Sequence, residues 1–96
     1  MIVNKYFEGN KLLVKVVGRL DTTTAPRLEE ELKDLSAVEE LVLDFEQLEY
    51  ISSAGLRLLL GTHKRMQGNM KVLHPNEMIT EIFDVTGFSD ILNIES

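Results

Sequence analysis

The chain alternates helical periodicity with short apolar runs over most of its length. Apolar residues recur at helical spacing in three segments, which begin near Ala25, Ser53 and Asn76. Short apolar runs at Glu40–Asp44 and Met70–Leu73 separate these segments and are predicted strands, while the apolar residues of 91–94 form a last strand or add core contacts. Because a crossover that carries a helix joins parallel strands, the later strands are predicted to be parallel.

A β-hairpin precedes this alternation. Ile2–Phe7 and Lys11–Val17 are rich in strand-forming residues, and Gly9-Asn10 between them is a hairpin turn signal. Gly18–Asp21 breaks the strand pattern, and Phe45–Tyr50 is predicted to be a loop. The predicted fold class is α/β: a mixed four- to five-stranded sheet, built from the N-terminal hairpin and then alternating helices and strands. Because 96 residues are too few to cover both faces of a wide sheet, we expect the helices mainly on one face.

Capping residues set the predicted bounds of the three helices. The first runs from Ala25 to about Leu35 and follows three candidate N-cap threonines. Ser52-Ser53 precedes the second helix, and Gly68 stands where a left-handed glycine is expected after its end. Asn76 is the predicted N-cap of the third helix, which ends at Gly87.

Composition limits what the chain can bind. It has 16 acidic and 10 basic residues and a formal net charge of −6, so we expect neither a nucleic-acid nor a membrane partner. It has no cysteine, which excludes disulfides and thiolate chemistry. No apolar run approaches the ~20 residues that span a bilayer, and Met1–Lys5 lacks the layout of a signal peptide. We therefore expect a cytoplasmic protein with a single domain over residues 1–96.

The most informative segment surrounds two adjacent serines. Ser52 and Ser53 stand at a helix start and are followed by the small residues Ala54 and Gly55, which let another molecule approach the backbone closely. An N-cap explains one serine, since it is about 1 kcal/mol better than alanine there. Only one serine can be the cap. The other suggests phosphorylation, because the positive end of a helix tolerates the roughly −1.5 to −2 charge of a phosphate.

Motifs of catalytic and metal sites are missing from the sequence. Ser53 does not lie in a G-x-S-x-G elbow, because Ile51 stands two residues before it. Neither His63 nor His74 is tied to Ser53 by its spacing. The two histidines match no metal-binding motif, and no glycine-rich phosphate loop is present. We therefore expect no enzymatic activity, no catalytic residue, no metal site and no cofactor.

Two acidic residues follow predicted strands. Asp21 and Asp44 are expected at the carboxyl edge of the sheet, where sites of open α/β sheets gather. A turn or capping role before the first helix explains Asp21 equally well.

Several blocks of the sequence together match the pattern of a known family. They are Gly18-Arg19-Leu20-Asp21, Leu41-Val42-Leu43-Asp44, Tyr50-Ile51-Ser52-Ser53-Ala54-Gly55-Leu56, and the closing residues Phe83, Gly87, Leu92 and Ile94. The third block is the specific one. With these residues the chain resembles, over essentially its whole length, the anti-sigma factor antagonists, which are single-domain members of the STAS family. The resemblance implies a mixed sheet of four or five strands flanked by helices.

The resemblance also implies partner switching. In that family the unphosphorylated protein binds an anti-sigma factor that is also a serine kinase, and so frees a sigma factor. The kinase phosphorylates the antagonist with ATP and releases it, and a PP2C-type phosphatase resets it. The family's phosphoacceptor lies two residues before the motif glycine, which is Ser53 here, with Ser52 as the second choice.

The partner-binding residues implied by the resemblance are Asp21, Ser52, Ala54, Gly55 and Leu56. Asp21 matches the family's acid after the second strand, where it would help to position the kinase or its nucleotide. Ser52 stands where the family often has aspartate, and Ala54 where it often has serine or threonine. Leu56 is also explained as a core residue. The resemblance further implies a monomer when the protein is free.

A second function remains open on the sequence alone. The chain is alternatively a STAS scaffold that is never phosphorylated, for example a subunit of a larger signalling or lipid-transport assembly. Such a subunit would form a stable complex that is indifferent to charge at Ser53.

Overall fold

Six strands, three α-helices and one 3₁₀ turn make up the chain. The structure is a computed structural model and describes residues 1–96. The elements, in chain order, are β1 Ile2–Glu8, β2 Lys11–Leu20, α1 Ala25–Glu31, β3 Glu40–Asp44, β4 Leu48–Ile51, α2 Ser53–Arg65, β5 Met70–Leu73, α3 Glu77–Thr86, the 3₁₀ turn Phe88–Asp90 and β6 Asn93–Glu95.

The strands form one mixed sheet, as the sequence predicts. Along the sheet the order is β1-β2-β3-β5-β6, and β4 also pairs with β2. The β1–β2 hairpin is antiparallel, and every other pair is parallel. The predicted α/β class and N-terminal hairpin are therefore confirmed, with six strands instead of four or five.

The extra strand depends on an irregularity within β2. The first half of β2 pairs with β3, and its second half, from Gly18 to Leu20, pairs with β4. The register shifts between Gly18 and Arg19, where Gly18 has a φ of 106°, which favours glycine. The predicted break at Gly18–Asp21 thus begins with a bulge inside β2, which continues to Leu20, and the end of the predicted loop Phe45–Tyr50 belongs to β4.

Helix α1 ends at Glu31, earlier than the predicted Leu35. Its last turn tightens, because the amide of Lys33 donates to the carbonyl of Glu30 instead of continuing the α-helical pattern. The guanidinium of Arg65 then donates to the carbonyls of Leu32 and Lys33 at 3.1 and 2.9 Å. These bonds satisfy carbonyls that the end of the helix leaves free.

The helices pack on one face of the sheet. On β2 the alternate residues Leu12, Val14 and Val16 are buried in a single core with apolar residues of all three helices. Leu13 and Val17 face the other side of the sheet, stay partly exposed and lie outside that core. This alternation agrees with the expected layout, in which the helices lie mainly on one face of the sheet.

Candidate partner-binding site

Ser52 joins β4 to α2 and is the N-cap of the helix. Its backbone is extended, with φ −98° and ψ 177°, and its hydroxyl oxygen accepts a hydrogen bond from the Gly55 amide at 3.4 Å. Its own amide donates to the Leu20 carbonyl at 2.9 Å, and its carbonyl accepts from the Leu56 amide. The side chain of Ser52 therefore has a structural role.

Ser53 is the first residue of α2, and its side chain is exposed. Its hydroxyl makes no hydrogen bond within the chain, with a histidine or with any other group, unlike the hydroxyl of Ser52. The first turn of α2 contains no acidic residue that would repel a phosphate. Of the two adjacent serines, Ser53 thus offers a free hydroxyl beside the positive end of a helix.

Gly55 leaves room for side chains of the protein itself, whereas the sequence suggested room for the approach of another molecule. It is buried, and a Cβ placed on it would lie 2.7 Å from Cγ1 of Ile51 and 2.9 Å from Cγ of Leu20. The space left by the missing side chain is therefore filled from inside the protein. Gly55 lets the first turn of α2 pack closely on the ends of β4 and β2, and so fixes the position of Ser53.

A shallow groove lies between the starts of α1 and α2. Its volume is about 270 Å³, and it is lined by Thr22, Ala25, Pro26, Glu29, Ala54, Arg57 and Leu58. Ala54, which follows Ser53, borders this groove and is half-buried. Leu56 is likewise half-buried and packs against the core, but it does not line the groove.

Asp21 organises the turn between β2 and α1. Its Oδ1 accepts hydrogen bonds from the Thr23 amide at 3.0 Å, the Thr23 hydroxyl at 2.7 Å and the Thr24 amide at 3.1 Å. The Thr23 hydroxyl is the largest cause of a lowered pKa of Asp21, which desolvation opposes in part. The turn role that the sequence allows is thus present. Thr23 and Thr24 both donate hydrogen bonds to the Asp21 carboxylate. Thr24 is the N-cap of α1 by position, but its side chain makes no capping hydrogen bond.

The fold brings Asp21 next to the two serines. Leu20 and Ile51 are register partners at the ends of β2 and β4, so the chain leaves the sheet side by side at Asp21 and Ser52. Of the predicted site residues, Ser53 is exposed, Gly55 is buried, and the remaining four are half-buried: Asp21, Ser52, Ala54 and Leu56.

Comparison with known proteins assigns the chain to a family. The sequence matches the STAS domain over residues 3–96. The chain belongs to the STAS domain family. An anti-sigma-B factor antagonist of Staphylococcus aureus is 32% identical over 96 residues, which cover 95% of this chain and 84% of that protein.

Solved structures share the fold of this STAS domain. An anti-sigma factor antagonist from Mycobacterium paratuberculosis has a TM-score of 0.88 at 22% identity, covering 98% of this chain and 84% of that one. The Bacillus cell fate determinant SpoIIAA, solved in its phosphorylated form, has a TM-score of 0.76 at 18% identity, covering 99% of this chain and 92% of that one. None of the helices in this STAS domain combines the length and apolar character that crossing a bilayer requires.

Arg19 and Tyr50 also lie at this edge, although the sequence does not predict them as site residues. The guanidinium of Arg19 lies 4.4 Å from the centre of the Tyr50 ring, and its Nε lies 3.8 Å from Oδ2 of Asp21. Arg19 therefore ties β2 to β4 beside the serines in this STAS domain. Only the pairing of these two strands reveals the cluster, and that pairing is hidden by the bulge at Gly18.

Proposed function

We propose that this STAS domain is an anti-sigma factor antagonist controlled by phosphorylation at Ser53. The unphosphorylated form binds an anti-sigma factor with serine kinase activity and so releases a sigma factor, and phosphorylation of Ser53 ends the binding. A PP2C-type phosphatase restores the active form. The observation that carries the proposal is the free, exposed Ser53 hydroxyl at the start of α2, beside a Ser52 hydroxyl already used as a cap.

The relatives support this role. The Staphylococcus aureus relative, named an anti-sigma-B factor antagonist, aligns with 95% of this chain. A structural neighbour is known in a phosphorylated form, although at 18% identity the likeness extends to the fold alone. We place the protein in the cytoplasm as a monomer without enzymatic activity of its own, in keeping with such a role.

The partner surface that we propose is the carboxyl edge around Ser53. It combines the Asp21 turn, Ala54 and the groove between α1 and α2, with Arg57 exposed in that groove. A phosphate at Ser53 would add a charge of roughly −1.5 to −2 at the rim of this surface. The partner would then have to desolvate or oppose that charge. A 100-fold loss of affinity corresponds to about 2.7 kcal/mol, which one unpaired dianion at an interface can supply.

The proposal is tested by capture from a lysate of the source organism. Wild type, Ser53→Ala and Ser53→Glu are used as baits, and bound proteins are identified by mass spectrometry. We expect wild type and Ser53→Ala to capture an ATP-binding serine kinase of the anti-sigma type, and Ser53→Glu to lose it. If Ser53→Glu captures the same kinase as well as wild type does, phosphorylation control is wrong. If all three baits capture one assembly without a kinase, the scaffold role replaces this proposal.

The acceptor is identified with the captured kinase. Purified kinase and ATP are added to wild type, Ser53→Ala and Ser52→Thr, and the phosphopeptide containing residues 52 and 53 is sequenced. Ser52→Thr keeps a capping hydroxyl and is the matched control. We expect phosphate on residue 53 in wild type and in Ser52→Thr, and none in Ser53→Ala.

A stability control separates lost binding from lost folding. Residue 53 is the first position of α2, so Ser53→Glu should keep or raise stability by about 0.3–1 kcal/mol, and Ser53→Lys should lower it by a similar amount. Urea unfolding of the two variants checks this. If Ser53→Glu proves to be unfolded, its loss of binding reflects lost folding and not the added charge.

A further inference from the structure

A second cluster of chemically active side chains lies apart from the Ser53 surface. It consists of Asp44, Glu46 and His74, whose ligating atoms all lie within 4.8 Å of one another. Asp44 is the last residue of β3, Glu46 lies in the loop that follows, and His74 comes directly after β5. Asp44 is half-buried, and the other two side chains are exposed.

The parallel pairing of β3 and β5 creates this cluster. Asp44 is the register partner of Leu73, so the two strands end together and their next residues share the carboxyl edge. The Phe45 amide donates to the Leu73 carbonyl at 2.9 Å, which holds the two chain exits side by side. The Glu46 amide donates to Oδ1 of Asp44 at 3.0 Å and orients that carboxylate. The His74 backbone has a φ of 55°, which turns the chain sharply before Pro75.

The three side chains converge without a partner of opposite charge. The five ion pairs of the molecule involve none of them. Lys15 is the register partner of Asp44 and shares a small depression with Asp44 and Glu46, yet it forms none of the five ion pairs. Two carboxylates at this separation repel each other, and a cation between them would convert the repulsion into attraction.

We propose that Asp44, Glu46 and His74 form a binding site for a divalent transition-metal ion, with Zn²⁺ as the best-suited probe. One imidazole and two carboxylates suit Zn²⁺ and its first-row neighbours better than Mg²⁺ or Ca²⁺, which prefer oxygen ligands alone. Metal–ligand bonds of about 2.0–2.2 Å place ligand atoms about 3.0–3.5 Å apart. Small rotations of the exposed Glu46 and His74 side chains close the remaining distance. Because both side chains are exposed, water or a group from another molecule completes the coordination.

A bound ion would connect two loops, because the side chains of Asp44 and Glu46 make no hydrogen bond with that of His74. Asp44 and Glu46 belong to the β3–β4 connection, and His74 belongs to the β5–α3 connection. The ion would therefore stabilise the folded chain, in which alone the ligands meet. No metal-binding motif is visible in the sequence because the ligands come from two separate loops. This site does not rest on the proposed partner-switching role.

The test is calorimetric titration of untagged, metal-free protein with ZnCl₂ at neutral pH. We expect one Zn²⁺ per chain with micromolar affinity, and at least ~10-fold weaker binding in each of His74→Asn and Glu46→Gln. Asparagine tolerates a positive φ, so His74→Asn removes the imidazole without straining the backbone. Glu49→Gln, an exposed acid on β4 outside the cluster, is the matched control and should bind like wild type.

A second measurement needs no variant. In ¹H–¹⁵N spectra of wild type, Zn²⁺ should shift or broaden the amide signals of residues 44–47, 73, 74 and 76, and EDTA should reverse the change. Mg²⁺ should bind at least ~10-fold more weakly because it gains little from the imidazole. The proposal is overturned if Zn²⁺ does not saturate a site below millimolar concentration, if His74→Asn binds as tightly as wild type, or if Mg²⁺ matches Zn²⁺.

Discussion

At the scale of single residues, two neighbouring serines of identical chemistry have different environments. Ser52 has extended backbone angles and turns its hydroxyl toward the Gly55 amide, whereas Ser53 is already helical and turns outward. A single residue step along the chain therefore separates a structural hydroxyl from an accessible one.

Alanine substitutions at the two serines should separate these roles. Ser52→Ala removes the cap and should lower the free energy of unfolding by about 0.5–1 kcal/mol, at the low end for a cap because the hydrogen bond is long. Ser53→Ala should change it by less than about 0.5 kcal/mol, since alanine is a good helix former and no bond is lost. Urea unfolding measures both. Equal losses would contradict the assignment of Ser52 as the cap.

Asp21 is the second residue whose surroundings predict a measurable effect. Hydrogen bonds from Thr23, and then from Thr24, favour the charged carboxylate and lower its pKa below the ordinary 3.8. The folded state therefore releases this proton at a lower pH than the unfolded state does. The stability that Asp21 contributes is fully present above about pH 4 and is lost as pH falls through the lowered pKa.

The variant Asp21→Asn tests this dependence. Its stability should fall less steeply than that of wild type as pH drops from 5 toward 2, because the titrating group is gone. Denaturant unfolding at each pH gives the difference between the two curves, and NMR titration of the Asp21 carboxyl carbon gives its pKa directly. Glu29→Gln, at an exposed acid of α1, is the control and should follow wild type. A pKa of Asp21 at or above 3.8 would refute the prediction.

At the scale of elements, periodicity predicts most of the fold and fails where strands are short or irregular. The hairpin and three helices follow from the sequence, and Asn76 caps α3 as predicted, with its Oδ1 accepting from the Ile79 amide at 2.8 Å. Periodicity does not predict strand β4, because it has only four residues and pairs with β2 beyond a bulge. Its existence depends on a tertiary partner, which local propensity does not encode.

Two glycines of α2 should respond oppositely to the same substitution. Gly55→Ala places a Cβ within 2.7 Å of Ile51 and 2.9 Å of Leu20, so we expect destabilisation by about 1–3 kcal/mol from overpacking. Gly61→Ala meets nothing within 4 Å and should stabilise by up to about 1 kcal/mol through helix propensity. Thermal and urea unfolding of the pair test the packing role of Gly55. A stabilising Gly55→Ala would show that α2 shifts at no cost.

At the scale of the whole molecule, α3 is fastened to β4 across the sheet edge. The Asn76 amide nitrogen donates to the carbonyls of Leu48 and Glu49 at 3.2 and 3.4 Å, while its oxygen caps α3. One side chain thus connects the strand that leads to Ser53 with the helix that follows His74.

Substitutions at Asn76 should distinguish the cap from the connection. Asn76→Ala loses both and should cost about 1–2 kcal/mol, whereas Asn76→Ser keeps a capping acceptor and should cost less. Hydrogen exchange of the β4 amides should be faster in both variants, and faster exchange at the start of α3 should appear only in Asn76→Ala. Unchanged β4 exchange in Asn76→Ser would show that the connection contributes nothing.

The candidate site was predictable only in part, for a reason that belongs to the whole chain. Ser53 stands out because a serine pair before small residues is a local pattern. Arg19, Tyr50 and the Asp44–Glu46–His74 cluster become neighbours only through strand pairing. Residues on separate strands have no fixed spacing in the sequence. Which of their side chains become neighbours depends on the register of the sheet.

The direction of the outer strands has a practical consequence for handling this protein. β1 begins beside the end of β2, and β6 runs parallel to its neighbour, so Met1 and Ser96 both lie toward the edge that carries Ser53. An affinity tag or fusion at either end would crowd that edge. The hairpin tip at Gly9-Asn10 lies at the opposite end of β2, about 30 Å away along the strand. A dye or immobilisation anchor at that tip would leave the Ser53 edge facing solution.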